Sequence, residues 1–490
     1  MSLVINRNIK TAIQEIKVQK RVKEVDFFES NLLLAIDNMQ KKKYDESNFY
    51  LDKIISPKNI ETFEAIIHES LKNYFYTFEK KKIIKQKSNY KNLDNLNHTF
   101  MECYLDDAQV LQSFQNLINS SSVDYSRYLF FYANYLIESK KISYLDKVIN
   151  NIDEINSSLL VLQTKIWLEN KELDNFNKIF SCSSEDDILA EFFFLIANLY
   201  STEGNLEKSN FYLSISEYLN KKFKYNLSLM ADNYFNNENF NQAKKILSTF
   251  DTKDGIFYWY KLKKITAIIS KSQNNEQALN YLENKYSKIN EKNQKIKFDM
   301  ANIYKNYKEY DKAIDLYSSI MKNIPTISAT YGDLLYRRGG SYERLGKFQK
   351  SDADLLDALK IIPDHSYILN YLAYSWLERN INISKAVKML EIAYEKDENN
   401  PYIIDSIGWA YYLTDRFSEA EKLIRKAIIL MPNDPIVNDH YGDILWRLDN
   451  KVQAKYYWKS VLKFDDADED IKSRIKDKLL FGPPIKNENL

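Results

Sequence analysis

Asp439 and His440 stand side by side, and a carboxylate beside an imidazole is the pairing that acid–base catalysis or a metal site would use. The pair has no company. His68, His98 and His365 are scattered, and no H-E-x-x-H motif occurs. His440 also lies two residues from Gly442, so a packing or capping role is expected of it. The acidic run Asp465, Asp466, Asp468, Glu469 and Asp470 lacks the spacing and the glycine of a calcium loop and reads as a solvated linker. No Gly-rich phosphate loop, G-x-S-x-G or G-K-[ST] is present, and Gly339-Gly340 sits in a helical pattern, where close packing explains it. Cys103 and Cys182 are far apart and in no C-x-x-C motif, which predicts two ordinary thiols and neither a disulfide nor a zinc site. The expectation is a chain without catalytic residues, metal ligands or cofactors: a binding protein, not an enzyme.

Charge narrows the partner. The 69 Lys and Arg residues nearly cancel the 68 Asp and Glu residues, so no general affinity for polyanions follows. The basic run Lys80, Lys81, Lys82, Lys85 and Lys87 complements the dipole at a helix end and does not predict nucleic-acid contact. No stretch of 18 apolar residues occurs, so no transmembrane helix is predicted.

The elements that must present a binding surface are helices. In 490 residues there are only 9 Gly and 8 Pro, too few turn formers for a sandwich or a dinucleotide-binding sheet. Length calls for several domains or a repeat array. Gly339, Ala373, Gly408 and Gly442 recur at separations of 34, 35 and 34 residues, the extra residue falling at Asn380–Ser384. From Ala301 to Gly339 the gap is 38, with about four extra residues near Ile327–Tyr331. The best unit is Tyr402 to Pro432. Gly408 and Ala427 allow two helices to cross closely, Tyr411, Phe417, Ala420 and Ile424 pack between them, and Pro432 ends the second. Upstream, weaker pairs follow Ala133, Trp167, Ala197 (with Gly204 at its turn), Ala231 and Ala278. Pro57 should end a first pair, 60–88 reads as one long helix, Asn89–Asn97 as a loop, and 471–480 as a last helix before Phe481-Gly482-Pro483-Pro484.

This pattern resembles the tetratricopeptide repeat (TPR), a unit of about 34 residues with a W-x₂-L-G-x₂-Y…A-x₃-F…P signature. Gly408, Tyr411, Ala420 and Pro432 match it, while Ile404 and Ile407 replace Trp and Leu. The resemblance implies an all-α fold, a right-handed superhelical solenoid of TPR helix–turn–helix pairs, about twelve or thirteen of them. The expected divisions are a basic N-terminal helix or leader at 1–25, degenerate helical repeats at 26–125, degenerate TPR repeats at 126–293, well-formed ones at 294–466, and a capping helix and tail at 467–490. In TPR proteins the first helix of each pair lines a concave groove. Carried onto this chain, the groove positions are Tyr336, Tyr374, Tyr402, Asp405, Trp409, Tyr412, Asp439, Asp443, Trp446 and Arg447. Aromatic residues and Arg are the types that dominate interface hot spots. Upstream, Asn134, Asn198 and Asn302 share one groove position, with Asp232 in a fourth repeat; an amide there can bond both N–H and C=O of an extended peptide. Phe130, Phe194 and Phe298 stand where carboxylate-clamping TPR families have bases, so a clamp of that kind is not expected.

The last 80 or so residues carry a closer likeness. Asp405–Tyr412 (DSIGWAYY) and Asn438–Leu448 (NDHYGDILWRL) resemble the D-S-x-G-W-A-x-Y and N-D-H-x-G-D-x-L-W-R repeats of a proteobacterial family of long TPR proteins. Many of those carry a secretion or lipoprotein signal, and some are outer-membrane scaffolds that bring a periplasmic processing protease to its substrates. This N-terminus shows neither a signal-type apolar core nor a lipobox cysteine, so the sequence as written reads as cytoplasmic. A start upstream of Met1 would make it periplasmic or outer-membrane-associated. The functional expectation is a non-enzymatic scaffold or adaptor holding a protein or peptide partner in its groove, with no nucleic acid and no small-molecule substrate. The alternatives are an envelope-associated adaptor for a processing protease, or a self-associating component of envelope assembly.

Overall fold

The computed structural model describes residues 1–22, 27–54, 63–84, 91–119, 126–150, 152–290, 292–465 and 467–484. Every regular element among them is a helix, mostly arranged as successive antiparallel pairs. The chain divides into two compact units, Met1–Ile296 and Lys297–Leu490. The N-terminal unit contains helices α1 (Lys91–Leu105), α2 (Tyr128–Glu138) and α3 (Glu185–Thr202) among others. In the C-terminal unit the pairs are α4 (Ala329–Arg344) with α5 (Phe348–Ile361), α6 (Ser366–Glu378) with α7 (Ile383–Lys396), α8 (Pro401–Leu413) with α9 (Phe417–Leu430), and α10 (Pro435–Arg447) with α11 (Lys451–Val461). A single helix, α12 (Glu469–Phe481), follows.

The turn inside a pair is made the same way along the chain. Lys42, Asp106, Lys140, Lys171, Gly204, Glu238, Lys308, Gly346, Asn380, Asp415 and Asp449 all adopt φ between 50° and 79°. The amide after each bonds a carbonyl five residues back, as in Arg416 N to Tyr411 O at 2.8 Å and Asn450 N to Leu445 O at 2.9 Å. This is the Schellman closure, which satisfies the last carbonyls of the first helix and turns the chain back beside it. The second helix then packs where the first carries a small residue. A Cβ on Gly408 would stand 2.6 Å from Ile424 Cδ1, one on Gly339 3.0 Å from Leu355 Cγ, and one on Gly442 inside the ring of Trp458. Ala420, Ile424 and Ala427 are fully buried in the same seam.

Three expectations are corrected. The loop expected over Asn89–Asn97 is from Lys91 onward the first turns of α1, because Leu96 and Phe100 give the segment a buried face. The long helix expected over 60–88 spans Phe63–Lys80 and stops at Lys81, whose φ is 54°. Pro57, Lys85, Lys87 and Asp466 lie outside the described residues. Finally, Cys103 and Cys182 are not separate thiols. They form a disulfide with a Cα–Cα distance of 5.4 Å, and both are buried. Their separation of 79 positions in the sequence hid the pairing. Aromatic packing around Phe180, whose ring centroid lies 4.8 Å from that of Phe131 and 6.2 Å from that of Phe100, brings the turn before α3 against α1.

Candidate functional site: a groove in the C-terminal unit

Two of the helices that form the groove, α8 and α10, are capped and proline-primed at their starts. Asn400 and Asp434 accept hydrogen bonds from the free amides at the N-termini of α8 and α10, and Pro401 and Pro435 occupy the first turn, where a missing N–H costs nothing. Asp468 caps α12 in the same way. The groove is formed by α4, α6, α8 and α10, and α12 stands along it as a wall. Between them lies a cavity of about 990 Å³.

One end of this groove is a buried ionic cluster. His440 Nδ1 lies 2.9 Å from Asp405 Oδ1, with both side chains buried. Trp409 stacks on the imidazole with ring centroids 4.0 Å apart, and Tyr412 stacks on Trp409 at 4.7 Å. The Trp409 indole N–H donates to Glu378 Oε1 at 3.1 Å. Lys478 of α12 donates to Asp439 Oδ1 at 2.6 Å and Asp443 Oδ2 at 2.8 Å, and Trp458 Nε1 donates to Asp443 Oδ1 at 3.2 Å. Burial pulls the His440 pKa down, but Asp405, Asp439 and Glu378 outweigh it, and the net shift is upward. Burial pushes Asp443 up to about 6 against the pull of Lys478. Burial, with Glu378 and Asp405 nearby, raises Tyr374 far above the usual phenol value and keeps it neutral. The Asp439-His440 dipeptide is therefore divided: His440 pairs with Asp405 and Asp439 with Lys478.

The residues expected to face the groove have different fates. Tyr402 is 62 % exposed at its rim, Tyr374 and Trp409 are half-buried and line it, and Asp405 lines it while held by His440. Asp439 and Asp443 also line it, but α12 has taken their charge. Trp446 lies under Gly482, and Arg447 donates to Pro484 O at 3.1 Å, so this chain's own C-terminal segment covers both. Tyr412 is buried against Phe417, and Tyr336 packs edge-on against Tyr371. Of the amides, Asn134 is fully buried and donates to Phe180 O at 3.0 Å, and Asn302 accepts from Tyr317 Oη and Arg337 Nη1. Asp232 accepts from the Tyr260 hydroxyl and pairs with Lys264. Only Asn198 of the three is exposed. It lines a second, more apolar groove of about 590 Å³ in the N-terminal unit, with Phe194 and Arg127; the guanidinium of Arg127 lies over the Phe194 ring and pairs with the buried Glu191.

Sequence reasoning missed Glu378, Asn370 and Tyr371 on the groove floor, and Arg474, Asp477 and Phe481 on α12. Glu378 had a signal: it stands five residues after Ala373, the offset at which Arg447 follows Gly442. The α12 residues had none, because nothing in their own sequence says which surface that helix covers. No group of His, Cys, Asp and Glu suited to a metal occurs among the described residues. Nor, among them, is any helix long and apolar enough to cross a membrane.

The fold and groove define an α-solenoid of TPR-type helix pairs. Residues 332–365, from within α4 through α5 to the start of α6, match the family model of the tetratricopeptide repeat. A stretch of 111 residues is 29% identical to the TPR repeat-containing protein PA4667 of Pseudomonas aeruginosa, covering 23% of this chain and 19% of that protein. Among solved structures, TTC0263, a thermophilic TPR protein of Thermus thermophilus, aligns at 17% identity with a TM-score of 0.33, over 38% of this chain and 99% of that one. PilW, a type IV pilus biogenesis factor, aligns at 18% identity with a TM-score of 0.32, over 35% and 76% respectively.

Proposed function

We propose that this protein is a non-enzymatic scaffold that holds a segment of a partner protein in the groove of its C-terminal unit. The observation that carries the reading is the open, aromatic-lined cavity over α6 and α8, where Tyr374, Tyr402 and Trp409 offer ring surface that no other described residue covers completely. Rigid aromatic anchors in a preformed concavity give affinity at low entropic cost. Affinity purification of the full chain and of a Tyr402→Ala/Trp409→Ala variant tests it. Partners recovered with the first should be lost with the second, and a variant that keeps every partner removes the groove from consideration. Trp446→Ala is the informative contrast, because Trp446 lies beneath this chain's own C-terminal segment.

A second reading, an adaptor in the cell envelope of the kind that recruits a processing protease, draws support from Cys103–Cys182. Buried structural disulfides persist in oxidising compartments and are rare where thiols are kept reduced. Cells quenched in acid and treated with a maleimide-polyethylene glycol should yield unmodified protein unless it is first reduced. Two modified thiols in the unreduced sample would return the protein to a reducing compartment. A self-associating role in envelope assembly predicts oligomers, and light scattering that gives a monomer at high concentration would remove it.

A further inference from the structure

Taking the groove reading above as its basis, we propose that the occupant is a protein segment presenting a Lys or Arg side chain to the step between α6 and α8. Seven carboxylates line the cavity against three permanent cations, Arg344, Arg474 and Lys478. Most of the carboxylates are already matched: Asp439 and Asp443 by Lys478, Asp405 by His440, Asp434 by the amides it caps, and Glu343 by Tyr371 and the nearby Arg344. Two remain, Asp477 on the α12 wall and Glu378 on the floor, and only Glu378 has ring faces beside it on that floor. It is exposed, it receives only the Trp409 indole N–H, and it pairs with no Lys or Arg among the described residues. Tyr374 and Trp409 flank it on the same floor.

A carboxylate with ring faces beside it is the setting that a guanidinium or ammonium satisfies, by a charge-assisted hydrogen bond and by contact with the rings. The chain supplies its own precedent two helices away. Asp439 and Asp443 flank Gly442 as Asp405 and Trp409 flank Gly408, and there Lys478 of α12 lies buried between the two carboxylates. That concave surface thus already holds one lysine, delivered by a helix laid along it. The position of the base is also specified from the other side. Toward α4 the sign reverses: Lys305, whose pKa is lowered by burial and by Arg337 and Arg344, lies near Gly340 and Tyr371, and a cation placed there would be repelled.

The test is selection of phage-displayed random peptides on the full chain, followed by fluorescence anisotropy of the strongest binder, labelled with fluorescein. We expect enrichment of Lys or Arg at one fixed position. Replacing that residue by norleucine should weaken binding about tenfold, and raising NaCl from about 50 mM to about 500 mM should weaken it further. Glu378→Gln should produce a similar tenfold loss with an unchanged thermal melt, since Glu378 is on the surface. Binders that lack a basic residue but are displaced by Trp409→Ala overturn the cation while leaving the groove reading in place. So does an affinity that Glu378→Gln changes less than twofold. Failure to enrich any peptide whose binding depends on Tyr402 or Trp409 overturns both.

Discussion

Replacing Lys478 by Met removes the one cation that Asp439 and Asp443 share while keeping most of the side chain's volume. Lys478 is 8 % exposed and both carboxylates are buried, so the variant leaves two like charges facing each other without solvent. Breaking a buried pair by removing one partner costs about 3–5 kcal/mol, much of it the uncompensated charge. That cost depends on pH, and the sign follows from Asp443. Its folded pKa, about 6 with lysine present, already lies above the ordinary carboxylate value of 3.8. A carboxylate whose pKa is raised on folding weakens the fold as pH rises through the interval between the two values. Without Lys478 the interval widens, so near pH 5 the variant can neutralise Asp443 and should lose only about 1–2 kcal/mol, whereas near pH 8 it should show the full 3–5 kcal/mol. His440, Asp405, Asp439 and Glu378 face the same cluster in both proteins, so the quantity to compare is the difference between variant and wild type at each pH. Hydrogen exchange read by mass spectrometry over 469–482 measures the local opening free energy of α12 directly. Adding Asp443→Asn to Lys478→Met should recover part of the loss at pH 8 and flatten the pH dependence. A loss below about 1 kcal/mol at pH 8, or the same loss at both pH values, would refute the claim that this charge pair anchors α12.

Three other outcomes follow from the packing. Gly442→Ala places a methyl inside the fully buried Trp458 ring and should cost about 1–3 kcal/mol or more, seen as a lower thermal midpoint and a shift in tryptophan emission. Lys308→Gly relieves a left-handed turn at φ 64° and should raise the denaturation midpoint by about 1 kcal/mol in stability; a loss instead would mean that the lysine side chain matters there. Cys103→Ser/Cys182→Ser opens a loop of 79 residues and should cost about 4–5 kcal/mol in the N-terminal unit, a difference that vanishes when the wild type is melted in reductant.

Much of the architecture could be read from side-chain size. Gly339, Gly408 and Gly442 declared the pair seams because at each of them a second helix occupies the space of a Cβ. The turns could not be read that way. Glycine is the usual mark of a Schellman closure, yet only Gly204 and Gly346 supply it among the eleven turns; Lys, Asp, Glu and Asn hold the rest. Those residues look like ordinary solvated loop, so the most regular feature of the backbone left almost no trace in composition. The groove divided along similar lines. Tyr374, Tyr402 and Trp409 were legible because helical phase from a small residue gives the facing side. The amides were not: Asn134 and Asn302 share that phase with Asn198, but local packing turns them to Phe180 and to Tyr317 and Arg337. Phase tells where a side chain starts, and it does not tell what arrives to meet it.

Asp439 and Asp443 show the same limit and also explain why α12 is there. A repeat array buries each pair against the next, and the pair α10–α11 is covered by the single helix α12 instead. Here α12 closes it, and it does so from the concave side. Ile475 joins the apolar core that continues from α8 to α11, Gly482 covers Trp446, and Lys478 bridges two carboxylates on the groove side of α10. The helix therefore occupies part of the concave surface, and the portion that the described residues leave open is the one bounded by Glu378, Tyr374 and Trp409 on the floor and by Arg474 and Asp477 on the wall. If the Lys478 anchor is weakened, the wall loosens before the floor does, because α6, α8 and α10 are held by their own second helices. Binding at Glu378 and the stability of α12 are consequently separable: Lys478→Met should alter how tightly a segment is enclosed, and Glu378→Gln how well its charge is matched.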